Sequence, residues 1–108
     1  FDYWTVTVFT TNRRVWEFDN VFKDYLVKIR CMAVDMEAAT LFTVGFANDI
    51  PTGALLLISD QPMTPDGVKT EESDKKVNKQ YVYEHVRIGI DSLKHLLNNG
   101  ISVKHLKF

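Results

Sequence analysis

Two carboxylates stand where this chain could do chemistry. The runs Val34-Asp35-Met36-Glu37-Ala38-Ala39-Thr40 and Leu57-Ile58-Ser59-Asp60 each pass from an apolar stretch straight into an acid, after which a new element begins. An α/β chain delivers acids to the carboxyl edge of its sheet in this way, and open sheets of that kind bind ligands there. Glu37 falls in the first turn of an apolar helix, where its plain role is to serve the positive end of the helix dipole, worth about 0.3–1 kcal/mol. Against that role stands the cost of holding Asp35 and Glu37 unpaired in an apolar segment, which a ligand with vicinal hydroxyls would offset. The residues leave capping and ligand binding open. Asp60 closes an apolar strand ahead of a loop with two prolines. It either caps that loop together with Ser59 or, in a partly dry cleft beside another carboxylate, acts as a general acid.

A third group is Arg13-Arg14 with Trp16 two positions on. An aromatic ring can stack on a heterocyclic base, and an arginine pair can grip a phosphate bidentately. The plainer reading is a solvated basic loop with Trp16 packed into the core. His85, His95 and His105 lie on the last helix and the tail at spacings that match no metal site, and Cys31 offers them no companion. No metal and no organic cofactor is expected. Neither a Gly-rich phosphate loop nor a nucleophile elbow is present.

The elements that must position these residues follow from periodicity. Residues 3–10 are β-branched or aromatic and partly alternate, which predicts a strand. A polar loop leads to a helix over 20–30, with Val21, Phe22, Tyr25, Leu26 and Ile29 recurring at three and four and Asp19 as N-cap. Residues 31–34 predict a short buried strand. Residues 36–47 predict a helix apolar nearly all round, with Ala38, Ala39 and Gly45 allowing close approach, placed inside the fold or under a subunit interface. After a turn at Pro51, residues 54–59 predict a central strand covered on both faces. Residues 61–69 read as a loop able to move over a site. Residues 71–98 read as a long helix with Val82, Val86, Ile90, Leu93 and Leu97 as its buried stripe, stopped by Gly100. Residues 101–108 are a tail or an edge strand. Such alternation predicts an α/β layer architecture with a mainly parallel sheet.

The totals narrow the classes. The 108 residues suffice for one domain, and 13 basic against 14 acidic residues leave a net charge of −1, which argues against a nucleic-acid partner held by bulk electrostatics. A lone cysteine in an apolar setting reads as a buried, inert thiol and fits a reducing cytoplasm. No apolar run reaches the roughly 18 residues of a membrane span, so no membrane partner is expected. The opening Phe1-Asp2-Tyr3-Trp4 is unlike a secretory signal and lacks an initiator Met, which points to a portion of a longer chain.

With Val34-Asp35-Met36-Glu37-Ala38-Ala39 and Ile58-Ser59-Asp60, the chain resembles the nucleoside phosphorylase/nucleosidase superfamily. The run Thr10-Thr11-Asn12-Arg13-Arg14-Val15-Trp16-Glu17 points to its AMP nucleosidase branch. Gly53-Ala54-Leu55-Leu56-Leu57 and Ile88-Gly89-Ile90-Asp91-Ser92-Leu93 extend the likeness, in order, over nearly the whole chain. The resemblance implies a three-layer αβα fold with a mainly parallel or mixed sheet, of which residues 1–108 would be the C-terminal portion of one catalytic domain. It implies that Glu37 holds the ribose 2′- and 3′-hydroxyls with Met36 against the sugar and Asp35 and Ser59 beside them. Asp60 would protonate N7 of the leaving purine, Trp16 would flank the base, and Arg13 or Arg14 would take the 5′-phosphate. The reaction implied is hydrolysis of AMP to adenine and ribose 5-phosphate. The alternatives are a phosphorylase or a methylthioadenosine nucleosidase on the same scaffold, or a non-catalytic nucleotide-binding or oligomerisation fragment. The implied partners are a purine nucleotide, phosphate as effector or co-substrate, and further copies of the same chain. Two departures stand out. Asp35 sits where many phosphorylases carry Glu. The superfamily's Gly-rich anion loop and water-activating group belong to an N-terminal half that these residues do not include.

Overall fold

A parallel pair of short strands, each feeding a helix, forms the frame of the chain. The computed structural model describes residues 3–65, 67 and 70–99. Its elements are β1 (Val8–Thr10), α1 (Asn20–Lys28), β2 (Ala33–Asp35), α2 (Ala38–Ala47), α3 (Glu71–Val77) and α4 (Tyr83–Asn99), with a π turn over Asn78–Val82 between the last two. They fall into two compact units, one from Phe1–Ala54 and Asp60–Val68, the other from Leu55–Ser59 and Lys69–Phe108.

In the first unit β1 and β2 pair in parallel, with Val8 opposite Ala33, Phe9 opposite Val34 and Thr10 opposite Asp35. The strand expected over residues 3–10 shortens to three residues. A strand lasts only as long as a neighbour supplies ladder partners, and the final backbone bond on this side is Met32 N to Thr7 O at 3.0 Å. α1 starts where expected, because Asp19 Oδ1 accepts from Phe22 N at 3.0 Å and satisfies an otherwise orphaned amide.

Both α1 and α2 end in the same way. Arg30 and Asp49 each take φ 54°. Cys31 N then reaches Leu26 O at 3.0 Å and Ile50 N reaches Gly45 O at 2.8 Å, while Arg30 N bonds Val27 O at 3.0 Å and Asp49 N bonds Phe46 O at 3.3 Å. These are Schellman closures, which ordinarily use glycine at the left-handed position.

Packing in this unit centres on Phe9. Its ring meets the edges of Phe22 at 5.5 Å and Tyr25 at 6.0 Å, and Phe22 in turn meets Trp16 at 5.6 Å. Leu26, Ala33 and Ala38 are the buried apolar residues among those described. The close approach expected at Gly45 is present: a Cβ there would run into Thr52 Oγ1 and lie 3.0 Å from Ile50 O. Of the two places expected for α2, inside the fold or under a subunit interface, the rest of the helix does not take the first. Leu41, Phe42, Val44 and Phe46 are exposed, because a two-stranded sheet offers a face for Ala38 and little more.

In the second unit, Thr70 and Ser73 cap α3 reciprocally, with Ser73 N to Thr70 Oγ1 at 3.1 Å and Thr70 N to Ser73 Oγ at 3.0 Å. Glu71, Glu72 and Asp74 occupy its first turn, as the dipole favours. The helix expected over 71–98 forms, but with a π turn inside it.

Two expectations here are corrected. Residues 54–59 form no strand, and Leu55, Leu56 and Ile58 are 41%, 39% and 53% exposed. An apolar run shows a demand for burial, not a ladder partner, and among the described residues none pairs with it. Val86, Ile90, Leu93 and Leu97 lie on α4 at the expected spacing, yet they too are exposed. No described helix is long and apolar enough to cross a membrane. Gly100, His105 and residues 101–108 lie outside the described residues.

Candidate functional site

Thr10 and Asp35 are the last register pair of the ladder, so both side chains stand at the carboxyl edge where β2 hands over to α2. Thr10 Oγ1 donates to Asp35 Oδ1 at 2.6 Å and accepts from Ala39 N at 2.9 Å. Asp35 Oδ2 accepts from Ala38 N at 2.6 Å and Glu37 N at 3.3 Å. Asp35 thereby caps the N-terminus of α2, which is why the helix begins at Ala38 and not at residue 36. The cost of an unpaired carboxylate in an apolar segment is met here by backbone and Thr10 donors.

Glu37 contrasts with it. Its carboxylate makes no cap bond to the helix; among the described residues its hydrogen bond is from Met36 N to Oε2 at 3.3 Å. It is exposed, as is Met36 beside it. An exposed carboxylate directly beyond the end of a parallel strand can accept hydrogen bonds from a ligand's hydroxyls.

The loop with the arginines is tied to the same edge. Thr11 is 5% exposed; its amide donates to Asp35 O at 2.9 Å and its hydroxyl accepts from Arg13 N at 3.0 Å. Arg13 Nη2 donates to Asp19 Oδ2 at 2.7 Å, and its guanidinium lies 5.3 Å from the centre of the Phe22 ring. Both arginines are exposed, and Arg13 is anchored to the start of α1. The Phe22 backbone N–H first, and Arg13 second, hold the Asp19 carboxyl below its ordinary value of 3.8. Trp16 is half-buried and packed on Phe22.

Asp60 and Ser59 are half-buried and each is engaged by a neighbour. Asp60 belongs to the first compact unit and Ser59 to the second. The loop after Asp60 is closed on itself: Gln61 N bonds Gly67 O at 2.8 Å, and Thr64 N bonds Gln61 O at 2.9 Å. Gly67 is required in that closure, because a Cβ would strike Gln61 O. Within the first unit Glu17, Phe18 and Lys23 join Pro62, Met63 and Pro65 around an open recess of about 360 Å³. It brings the segment after Trp16 and the segment after Asp60 to one place. A larger recess of about 540 Å³ runs along α4 beside Ile88, Asp91 and His95 and includes none of the candidate residues.

The structure therefore joins Arg13, Asp35, Met36 and Glu37 through one hydrogen-bonded edge. It also reveals two residues to which sequence reasoning gave no part in the site: Thr10, the end of the expected strand, and Thr11 in the loop after it. The available signal was that Thr10 and Asp35 both end apolar strands.

Comparison with known proteins places the sequence among relatives. The family model described as the phosphorylase superfamily matches residues 1–93. Two relatives, AMP nucleosidase of Escherichia coli strain K12 and AMP nucleosidase of Escherichia coli O157:H7, are each 32% identical to the chain over 97 residues, covering 89% of it. The chain spans 20% of the length of these relatives. No solved structure gives a significant match.

Proposed function

Because the chain belongs to the phosphorylase superfamily, we propose that residues 1–108 are the C-terminal portion of a single nucleoside phosphorylase-like domain, three-layered αβα in the whole protein, that hydrolyses AMP to adenine and ribose 5-phosphate. The observation that carries the reading is the exposed Glu37 carboxylate just beyond the β2 terminus, presented by an edge whose other acid, Asp35, is already used by the fold. In the proposed mechanism Glu37 accepts hydrogen bonds from the ribose 2′- and 3′-hydroxyls while Met36 packs on the sugar. Asp60 gives a proton to purine N7. The C1′–N9 bond then breaks with its electron pair going to the base, and positive charge develops on C1′ and the ring oxygen. Water adds at C1′ and loses a proton. Protonating the leaving group and supporting a cationic sugar are the two demands of N-glycosidic cleavage, and two carboxylates meet them.

Trp16 flanks the base and an arginine of the 13–14 pair holds the 5′-phosphate; what supports this is the tie of the Arg13 backbone to that edge through Thr11, the packing of Trp16 on Phe22 and the likeness to proteins named AMP nucleosidase. Assembly with further copies is part of the proposal, supported by the exposed Leu41, Phe42, Val44 and Phe46 on α2. The test is to incubate the complete protein with AMP and identify the products. Free adenine with ribose 5-phosphate, independent of added phosphate, is expected. A strict requirement for phosphate would make the enzyme a phosphorylase. Asp60→Asn should lose turnover while still binding AMP; a fully active Asp60→Asn protein would remove Asp60 from the mechanism.

A further inference from the structure

Thr10 has no place in the chemistry just described, yet its hydroxyl joins two elements that present Glu37. A hydroxyl has one proton, so donating it to Asp35 Oδ1 at 2.6 Å leaves the lone pairs to receive Ala39 N at 2.9 Å. Asp35 Oδ2 takes the amides of Glu37 and Ala38. Three successive amides, 37 to 39, are thereby held by one register pair of the ladder. Two of them flank the Cα of Glu37, whose backbone lies at φ −128°, ψ −29°, outside both helix and strand. A residue in that conformation points its side chain where its flanking amides are fixed.

We propose that Thr10, acting through Asp35, is a positioning residue that aims the Glu37 carboxylate at the ribose hydroxyls. The inference rests on the reading of Glu37 as the ribose-binding acid. Thr10 itself touches no substrate. Its contribution is orientation: misplacing a positioned group by an ångström costs on the order of 100-fold in rate. Valine suits the test because it matches the shape of threonine and is equally at home in a strand.

The experiment compares kcat/KM for AMP and for 2′,3′-dideoxy-AMP, which lacks both hydroxyls, in the complete protein and in Thr10→Val, Thr10→Ser and Glu37→Gln. Thr10→Val is expected to lower the value for AMP by about 10- to 100-fold and that for the dideoxy nucleotide by no more than about twofold, the limit for independent effects. Thr10→Ser, which keeps the hydroxyl, is expected to restore AMP turnover. Equal losses on both nucleotides in Thr10→Val would make the hydroxyl a stability feature alone and overturn the proposal. Selective loss in Glu37→Gln without selective loss in Thr10→Val would overturn it while leaving the Glu37 role standing. No selective loss in Glu37→Gln would remove the role itself. Should Thr10→Val not fold, Asp35→Asn is read by the same criterion, because an amide has one acceptor oxygen to serve both Ala38 N and the Thr10 hydroxyl.

Discussion

Replacing Asp35 with alanine tests how firmly the sheet edge is tied to α2. The substitution removes the acceptor at 2.6 Å from Ala38 N and the acceptor at 2.6 Å from Thr10 Oγ1. Loss of a helix cap costs about 1 kcal/mol, up to about 2 in favourable cases. Loss of a hydrogen bond to a charged group costs about 1.5–3 kcal/mol, and the lower end applies here because the half-buried Thr10 can turn to water. The two losses share the Asp35 carboxylate and do not add fully, which leaves about 2–3 kcal/mol. Glu37→Ala, two residues on, breaks no cap bond; it forfeits a dipole interaction of about 0.3–1 kcal/mol and one long, exposed hydrogen bond from Met36 N. Urea denaturation of the complete protein, followed by circular dichroism, measures both variants, and a shifted midpoint with an unchanged slope reports stability alone. If Asp35→Ala fell within about 0.5 kcal/mol of the parent, the range of ordinary surface substitutions, the capping role would be refuted.

Three further outcomes follow from particular contacts. Arg30→Gly should raise stability by about 0.5–1 kcal/mol in the same assay, because φ 54° strains a residue with a Cβ and costs glycine nothing. Asp19 adds stability at pH values above its ordinary 3.8, where the folded and unfolded states are both ionised. That contribution is lost as pH falls through the depressed folded value, so Asp19→Asn should weaken the protein at neutral pH and flatten its acid unfolding curve. Arg14→Ala should reduce the preference for AMP over adenosine by about 10- to 100-fold, the worth of a charge-assisted phosphate contact, with little change in stability. Arg13→Ala should destabilise as well, having lost Asp19 and Phe22. An unchanged preference in both variants would exclude this pair from phosphate binding.

The parts legible in the sequence were those written in local spacing. Asp19 before a three-and-four pattern marked α1, and the acidic first turn marked α3. Glycine at 45 marked a close approach. What failed depended on partners far along the chain. An apolar run at 54–59 has the composition of a buried strand, but a ladder needs a second strand that composition does not supply. The Thr10–Asp35 bond spans 25 positions and leaves no periodic trace. The two Schellman closures lack the glycine by which they are usually recognised. The residues around the π turn differ in no visible way from those of an ordinary helix. At the site, the abrupt passage from apolar run to acid located Asp35 and Glu37, and only the hydrogen bonds separate the one that caps from the one that faces outward.

The π turn over Asn78–Val82 carries a consequence for how this helix tolerates change in length. A turn closed by i→i+5 bonds holds one residue more than an α turn. Everything after it is therefore set back by one residue of rotation, about 100° at 3.6 residues per turn. The turn behaves as an insertion already absorbed. Removing one residue between Asn78 and Val82 would let α3 and α4 run on as a single regular helix with both flanking faces nearly in place. The same deletion between Ile90 and Leu93 would swing Leu93 and Leu97 about 100° away from Val86 and Ile90 and split their common stripe.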